Sequence, residues 1–158
     1  MMGSDLGRRI GKREPFETKQ EEALLGLART ADRMQARVAR LLKEHGLTPA
    51  QYNVLRILRG LGRPTPILEV AQSMLTETPG ITGLIDRLEK LELVRRERCE
   101  RDRRVIFVVL GPRAADVLTG LDGPMAELRT ALFAGLSPSD LATLVRLLDR
   151  VREPLEGP

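Results

Sequence analysis

The chain has 158 residues, of which 42 % are hydrophobic and 30 % charged, with a formal net charge of +4. This length and balance suit one soluble globular domain with a sizeable core, and the excess of cations leans towards a polyanionic partner. A single cysteine (Cys99) and a single histidine (His45) exclude an internal disulfide, paired-cysteine metal spacing and a histidine-rich metal site. No stretch reaches the roughly 18 apolar residues of a membrane span. The first sixteen residues also lack the apolar run of an export signal, so a cytoplasmic protein without metal or cofactor is expected.

Residues 1–15 are polar, basic and glycine-containing and are expected to form a flexible basic arm. From residue 16 to residue 45, Leu24, Leu27, Ala31, Met34, Val38 and Leu41 recur at alternating spacings of three and four. That is the seam of a long amphipathic helix, which Gly46 ends. His45 reads as a cap or seam residue at this helix end. "LTPAQYNVLRIL" opens a second helix, with Thr48 at its N-cap and Pro49 in the first helical position. "RGLGRPTP" breaks it. "ILEVAQSML" is a short helix with Leu68, Ala71 and Leu75 expected on one face.

"TETPGITGLIDRLEKLELV" predicts a helix capped by Thr76 or Thr78, with Pro79 in its first turn. Ile81, Leu84, Ile85 and Leu88 form its buried stripe. The opposite face carries Thr78, Thr82, Gly83, Asp86, Arg87 and Lys90. Two short helices joined by "LTET" match a helix-turn-helix, and small or polar residues on the exposed face suit close approach to a major groove.

Residues 94–99 and 104–110 then read as a two-stranded hairpin, stopped by Gly111-Pro112. Between residues 95 and 104 stand six arginines against three acids, a local balance of +3. A thin basic hairpin fits phosphates or a narrow minor groove. Arg101, Arg103 and Arg104 near the tip are the expected DNA contacts. Arg95 and Arg96 near the base are expected to pair internally. Cys99 has cationic neighbours that would favour a thiolate, but it is expected to be a hairpin cysteine with no role. With three phenylalanines and one tyrosine, the chain lacks the aromatic platforms of single-strand and RNA binders, so double-stranded DNA is the better partner.

Ala114, Leu118, Leu121, Met125, Leu128 and Leu132 form another three-four stripe, interrupted by Gly123-Pro124 as a kink or a break. "SPSD" caps a last helix whose stripe is Leu141, Leu144, Leu148, Val151 and Leu155. The predicted fold is mainly α with a small β-hairpin: a winged helix-turn-helix flanked by N- and C-terminal dimerisation helices. Residues 16–158 form one domain, in which residues 47–111 are the DNA-binding lobe and residues 16–46 and 112–158 the dimerisation helices.

Three segments in this order resemble the multiple-antibiotic-resistance regulator (MarR) family: "LTPAQYNVLRIL", "LEVAQSMLTETPGITGLIDRLEKLELVRR" and "DRRVIFVVLGPRA". The resemblance covers about residues 24–155. This chain carries Glu92 where the family usually has Gly, Gly111 and Ala114 where it has Thr and Gly, and Gly83 where an arginine is frequent. The resemblance implies a homodimeric transcription regulator, usually a repressor, that binds a pseudo-palindromic operator and responds to a small aromatic or phenolic effector. Mapped onto this chain, the DNA-binding positions are Thr78, Pro79, Thr82, Arg87, Arg101, Arg103 and Arg104. Asp102 would orient the wing, and Val38, Leu41, Tyr52 and Arg56 would line a ligand pocket. The rival readings are a winged-helix interaction module binding an acidic protein partner and an enzyme. The second is disfavoured by a single histidine, a single cysteine and no phosphate-binding loop.

Overall fold

The computed structural model describes residues 5–76, 79–98, 102 and 104–156. Two long helical ends enclose a small lobe. The first end is α1 (Asp5–Arg9) followed by α2 (Lys19–Glu44). The lobe runs through α3 (Pro49–Leu61), β1 (Thr65–Pro66), α4 (Ile67–Gln72), α5 (Ile81–Lys90), β2 (Val94–Arg98) and β3 (Ile106–Leu110), and the chain closes with α6 (Ala114–Leu132) and α7 (Pro138–Glu156).

Local sequence explains most boundaries. α2 begins at Lys19 rather than at residue 16, because Thr18 takes an extended conformation and its hydroxyl accepts the Glu21 amide. At its other end His45 is the C-cap, and its Nδ1 donates to the Leu41 carbonyl at 3.1 Å. α3 starts with a complete capping box: the Thr48 hydroxyl accepts the Gln51 amide at 3.2 Å, while the Gln51 side chain accepts the Thr48 amide at 2.8 Å. Ser137 and Asp140 make the same reciprocal pair before α7, at 3.2 and 3.0 Å.

Four expectations need correction. Part of the segment expected to be a flexible arm is helical: α1 carries a buried Gly7, and Lys12 behind it pairs with Glu21 at 3.2 Å and lies over the Phe16 ring. The hairpin is a three-stranded sheet in the order β1-β3-β2, because Thr65 and Pro66, within the predicted break, pair antiparallel with Val108 and Phe107. The buried Thr65 hydroxyl donates to the Arg63 carbonyl, so it costs no unpaired polar group. In α4 and the residues just after it, the side chains that meet the core are Ile67, Val70 and Met74, whereas Leu68 and Leu75 of the expected face are 70 % and 79 % exposed. Both stripes have helical spacing, and packing against α3 and α5 selects one. Finally, α5 starts at Ile81, after Pro79 instead of around it, because Gly80 at its N-cap is left-handed (φ 76°, ψ 38°) and breaks the helical path. Gly123-Pro124, by contrast, leaves α6 a single helix.

One core joins the lobe to the helical ends. Val54, Leu55 and Leu58 of α3 meet Val70 of α4, Leu84, Ile85 and Leu88 of α5, Val94 and Val108 of the sheet, and Leu118, Leu121 and Met125 of α6. Leu42 of α2 completes it. Each fully buried aliphatic side chain contributes roughly 1.5–3 kcal/mol relative to exposure. α5 is thereby fixed along its Leu84-Ile85-Leu88 side, which leaves Thr82, Asp86, Arg87 and Lys90 exposed.

The junction from α5 into the sheet is strained. Glu92 has φ 58°, the one non-glycine residue with positive φ among those described. Its neighbours hold it there: the Glu92 amide donates to the Glu89 carbonyl at 2.9 Å and the Leu93 amide to the Leu88 carbonyl at 3.0 Å. A left-handed L-residue costs about 1 kcal/mol, which accounts for the family's glycine at this position. We expect Glu92→Gly to stabilise the protein by about 0.5–1 kcal/mol, read as a higher urea midpoint at unchanged slope. A lower midpoint would show that the Glu92 side chain contributes more than its backbone costs.

Candidate nucleic-acid interface

α4, the turn before α5, α5 itself and the β2–β3 wing form the exposed end of the lobe. Thr82, Asp86, Arg87 and Lys90 on α5 are exposed, as are Pro79 and Gly80 before it. Gly83 is half-buried. Arg95, Arg98 and Arg104 are exposed on the wing. Thr78, Arg101, Arg103 and Cys99, assigned from sequence to the recognition turn and the wing tip, lie outside the described residues.

The arginines of the wing divide by partner. Arg95 pairs with Glu97 on its own strand at 2.9 Å. Arg96 turns towards α5: Nη2 lies 2.6 Å from Asp86 Oδ1, and Nη1 lies 2.6 Å from Glu89 Oε2. The same Nη2 donates to the Thr82 carbonyl at 3.3 Å, and the Arg96 amide donates to Glu89 Oε1 at 3.1 Å. Burial works against this charge, but the hydrogen bonds and attraction of Asp86 and Glu89 outweigh it, and the guanidinium is held above its ordinary pKa. Both base arginines therefore make the internal pairs expected of them. Arg104 and Arg98 have no carboxylate partner among the described contacts. Asp102 Oδ1 accepts the Arg104 amide at 2.9 Å, and its carbonyl accepts the Val105 amide at 3.0 Å. The aspartate thus closes a turn entering β3, holding the backbone of the neighbouring arginine rather than its guanidinium.

The four positions assigned to a ligand pocket lie at the junction of α2 and α3. Val38, Leu41 and Tyr52 pack against the core, and Arg56 is exposed, donating to Asn53 Oδ1 at 3.0 Å. A separate recess of about 420 Å³ lies between α1, α2 and the end of α6. Its lining includes Leu6, Arg29, Arg33, Met34, Arg37 and Leu132. Sequence reasoning missed it because it depends on α1 folding back onto α2.

One further pair links the lobe to the helical ends: Arg59 of α3 meets Asp122 of α6 through two hydrogen bonds, at 2.9 and 3.0 Å. No group of three or more metal-ligating side chains occurs among the described residues, and no helix among them is long and apolar enough to cross a membrane.

A helix-turn-helix followed by a basic wing on a three-stranded sheet defines the winged-helix DNA-binding transcription regulators. Residues 47–106 match the model of the MarR family. The chain is 31 % identical over 109 residues to the uncharacterised HTH-type transcriptional regulator YkoM of Bacillus subtilis, covering 68 % of this chain and 70 % of that protein. Among solved structures it is similar to AbsC, a MarR family transcriptional regulator from Streptomyces coelicolor. That likeness has a TM-score of 0.81 at 26 % identity, over 92 % of this chain and all of that one. BpsR of Bordetella bronchiseptica, whose DNA binding is regulated by 6-hydroxynicotinic acid, is also similar, with a TM-score of 0.74 at 25 % identity over 85 % of this chain and all of that one. The chain belongs to the MarR family of transcriptional regulators.

Proposed function

We propose that this protein is a cytoplasmic, homodimeric and ligand-responsive repressor that reads a pseudo-palindromic duplex. The observation that carries the dimer is α7. It contributes no buried residue: Leu141, Leu144 and Leu148 of its apolar stripe are half-buried, Val151 and Leu155 are 49 and 79 % exposed, and the adjacent Val145 is 57 % exposed. On α2 the seam residues Leu24 and Leu27 are exposed too. Unpartnered apolar faces on both terminal helices of one chain suit a two-fold, self-complementary contact with a second copy. Two lobes related by that axis would meet half-sites about one helical turn apart.

In this reading α5 presents Thr82 and Arg87 to the major groove, with Thr78 and Pro79 at its approach. Arg101, Arg103 and Arg104 meet phosphates or the minor groove, and Asp102 shapes the wing. Affinity comes from arginine–phosphate contacts with counterion release. Ligand response is supported by the regulation of BpsR by 6-hydroxynicotinic acid. An effector that favours a lobe spacing unlike that of bound DNA would lower the DNA-competent fraction. Val38, Leu41, Tyr52 and Arg56, at the junction of α2 and α3, remain the positions proposed for it.

Gel shifts with fragments of the protein's own locus test the DNA reading. Specific retardation over random duplex is expected, and equal retardation of both at low and near-physiological salt would refute it. Sedimentation tests the dimer. Val151→Asp with Leu155→Asp should yield monomer and abolish specific binding, whereas an unaltered sedimentation coefficient would remove α7 from the interface.

A further inference from the structure

We propose that Arg96 is a positioning residue that clamps the wing to the recognition helix, while Asp86 and Glu89 serve as its anchors and contribute to operator specificity without touching DNA. The inference rests on the reading of this face as a DNA-binding surface. One guanidinium reaches Thr82, Asp86 and Glu89, which stand at i, i+4 and i+7 and so lie along one face of α5 over two turns. The Arg96 amide adds a fourth bond to the same Glu89 carboxylate. Both the backbone and the side chain of β2 are therefore tied to the helix at one residue.

The clamp explains two features of the surface. Asp86 and Glu89 are acids on a helix that must approach phosphates, where unpaired carboxylates would be repelled. Arg96 neutralises part of that charge from behind, with its side chain 22 % exposed against 65 % for Arg95. It also leaves Arg96 unavailable as a phosphate contact, since both Nη groups are directed at α5. Planar, two-pronged bridging of two carboxylates is a property of arginine that a lysine ammonium does not reproduce.

The clamp and plain electrostatics predict opposite signs for one variant. Asp86→Ala with Glu89→Ala removes two negative charges per protomer. If these acids acted only through charge, every duplex would bind more tightly. If they anchor the wing, random duplex binds more tightly while the preferred duplex loses the geometry that made it preferred. The test uses the full-length protein and a duplex that the wild type enriches from a randomised pool, with binding measured against random duplex at several salt concentrations. The expected result is that the preference for the enriched duplex falls by about tenfold or more. Arg96→Lys, which keeps the charge, should lower that preference by a similar factor. Amide hydrogen exchange without DNA is the second readout: the β2 and α5 amides should exchange faster in Arg96→Lys, with unchanged sedimentation and helical content.

Enriched and random duplexes binding more tightly in step would overturn the proposal. So would an Arg96→Lys protein that keeps wild-type preference, or exchange rates that do not move. A wild type that enriches no duplex would instead refute the DNA-binding reading, while the exchange rates still report whether the clamp exists, so the two failures are separately visible.

Discussion

Replacing Gly111 with Ala is expected to cost about 3 kcal/mol, read as a fall in melting temperature of about 6–12 °C for a chain of this size. The reason is a close backbone approach. Gly111 is buried where β3 leaves the sheet, and its amide donates to the Leu93 carbonyl at 2.9 Å. A Cβ there would overlap the Glu92 carbonyl oxygen and come within 2.9 Å of the Glu92 and Leu93 carbonyl carbons. These are backbone atoms of a hydrogen-bonded junction, so no side-chain rotation relieves the overlap. The same junction receives the Arg113 guanidinium on the Leu91 carbonyl at 3.3 Å and passes directly into α6. The strain would therefore reach the link between the wing and the helical ends. A loss below about 1 kcal/mol would show that the strands separate easily at this point.

Glu92 and Gly111 are two of the positions at which this chain departs from the family pattern, and the structure makes them neighbours. The left-handed Glu92 points its carbonyl at the space a Thr or Ala side chain would need at 111. Contacting residues rarely act additively, so Glu92→Gly, which frees that backbone, should recover part of the loss in Gly111→Ala. Equal losses with and without Glu92→Gly would show that the two departures are independent.

Changing Arg103 and Arg104 together to Ala is expected to weaken DNA binding by on the order of tenfold or more while leaving the dimer intact. The salt dependence is the diagnostic. Each lost phosphate contact lowers the slope of log affinity against log salt by about one, and two-fold symmetry doubles the loss. Arg104 stands exposed with no described carboxylate partner, and Asp102 holds its backbone amide. An unchanged slope would remove both residues from the set of phosphate contacts. The contrast with Arg96 is useful: that arginine is two residues into β2 and already committed to two carboxylates, so lysine should rescue Arg104 but not Arg96.

Much of the molecule was legible in sequence because the signals are local. Thr48-Pro49 with Gln51 encodes a helix start by itself, as does Ser137 with Asp140. The stripe Leu84, Ile85, Leu88 names the buried side of α5 through spacing alone. Six arginines on a hairpin mark a basic wing, and the internal pairing of Arg95 and Arg96 at its base followed from the interleaved acids. In each case a few adjacent residues carry enough of the free energy to settle their own conformation or polarity.

What failed depended on residues far apart in the chain. Thr65-Pro66 looks like a break until β3, some forty residues later, offers it a partner. Leu68 and Leu75 are as apolar as Val70 and Met74, and only the orientation of α4 against α3 and α5 decided which stripe was buried. The sequence determined by itself that this is a helical protein with a basic wing, since caps, periodicity and charge are properties of neighbouring residues. The tertiary structure alone decided that Arg96 binds two acids of the preceding helix, that Glu92 must be left-handed and that Gly111 has no room for a side chain. Those outcomes are set by the distance between backbones that sequence spacing does not specify.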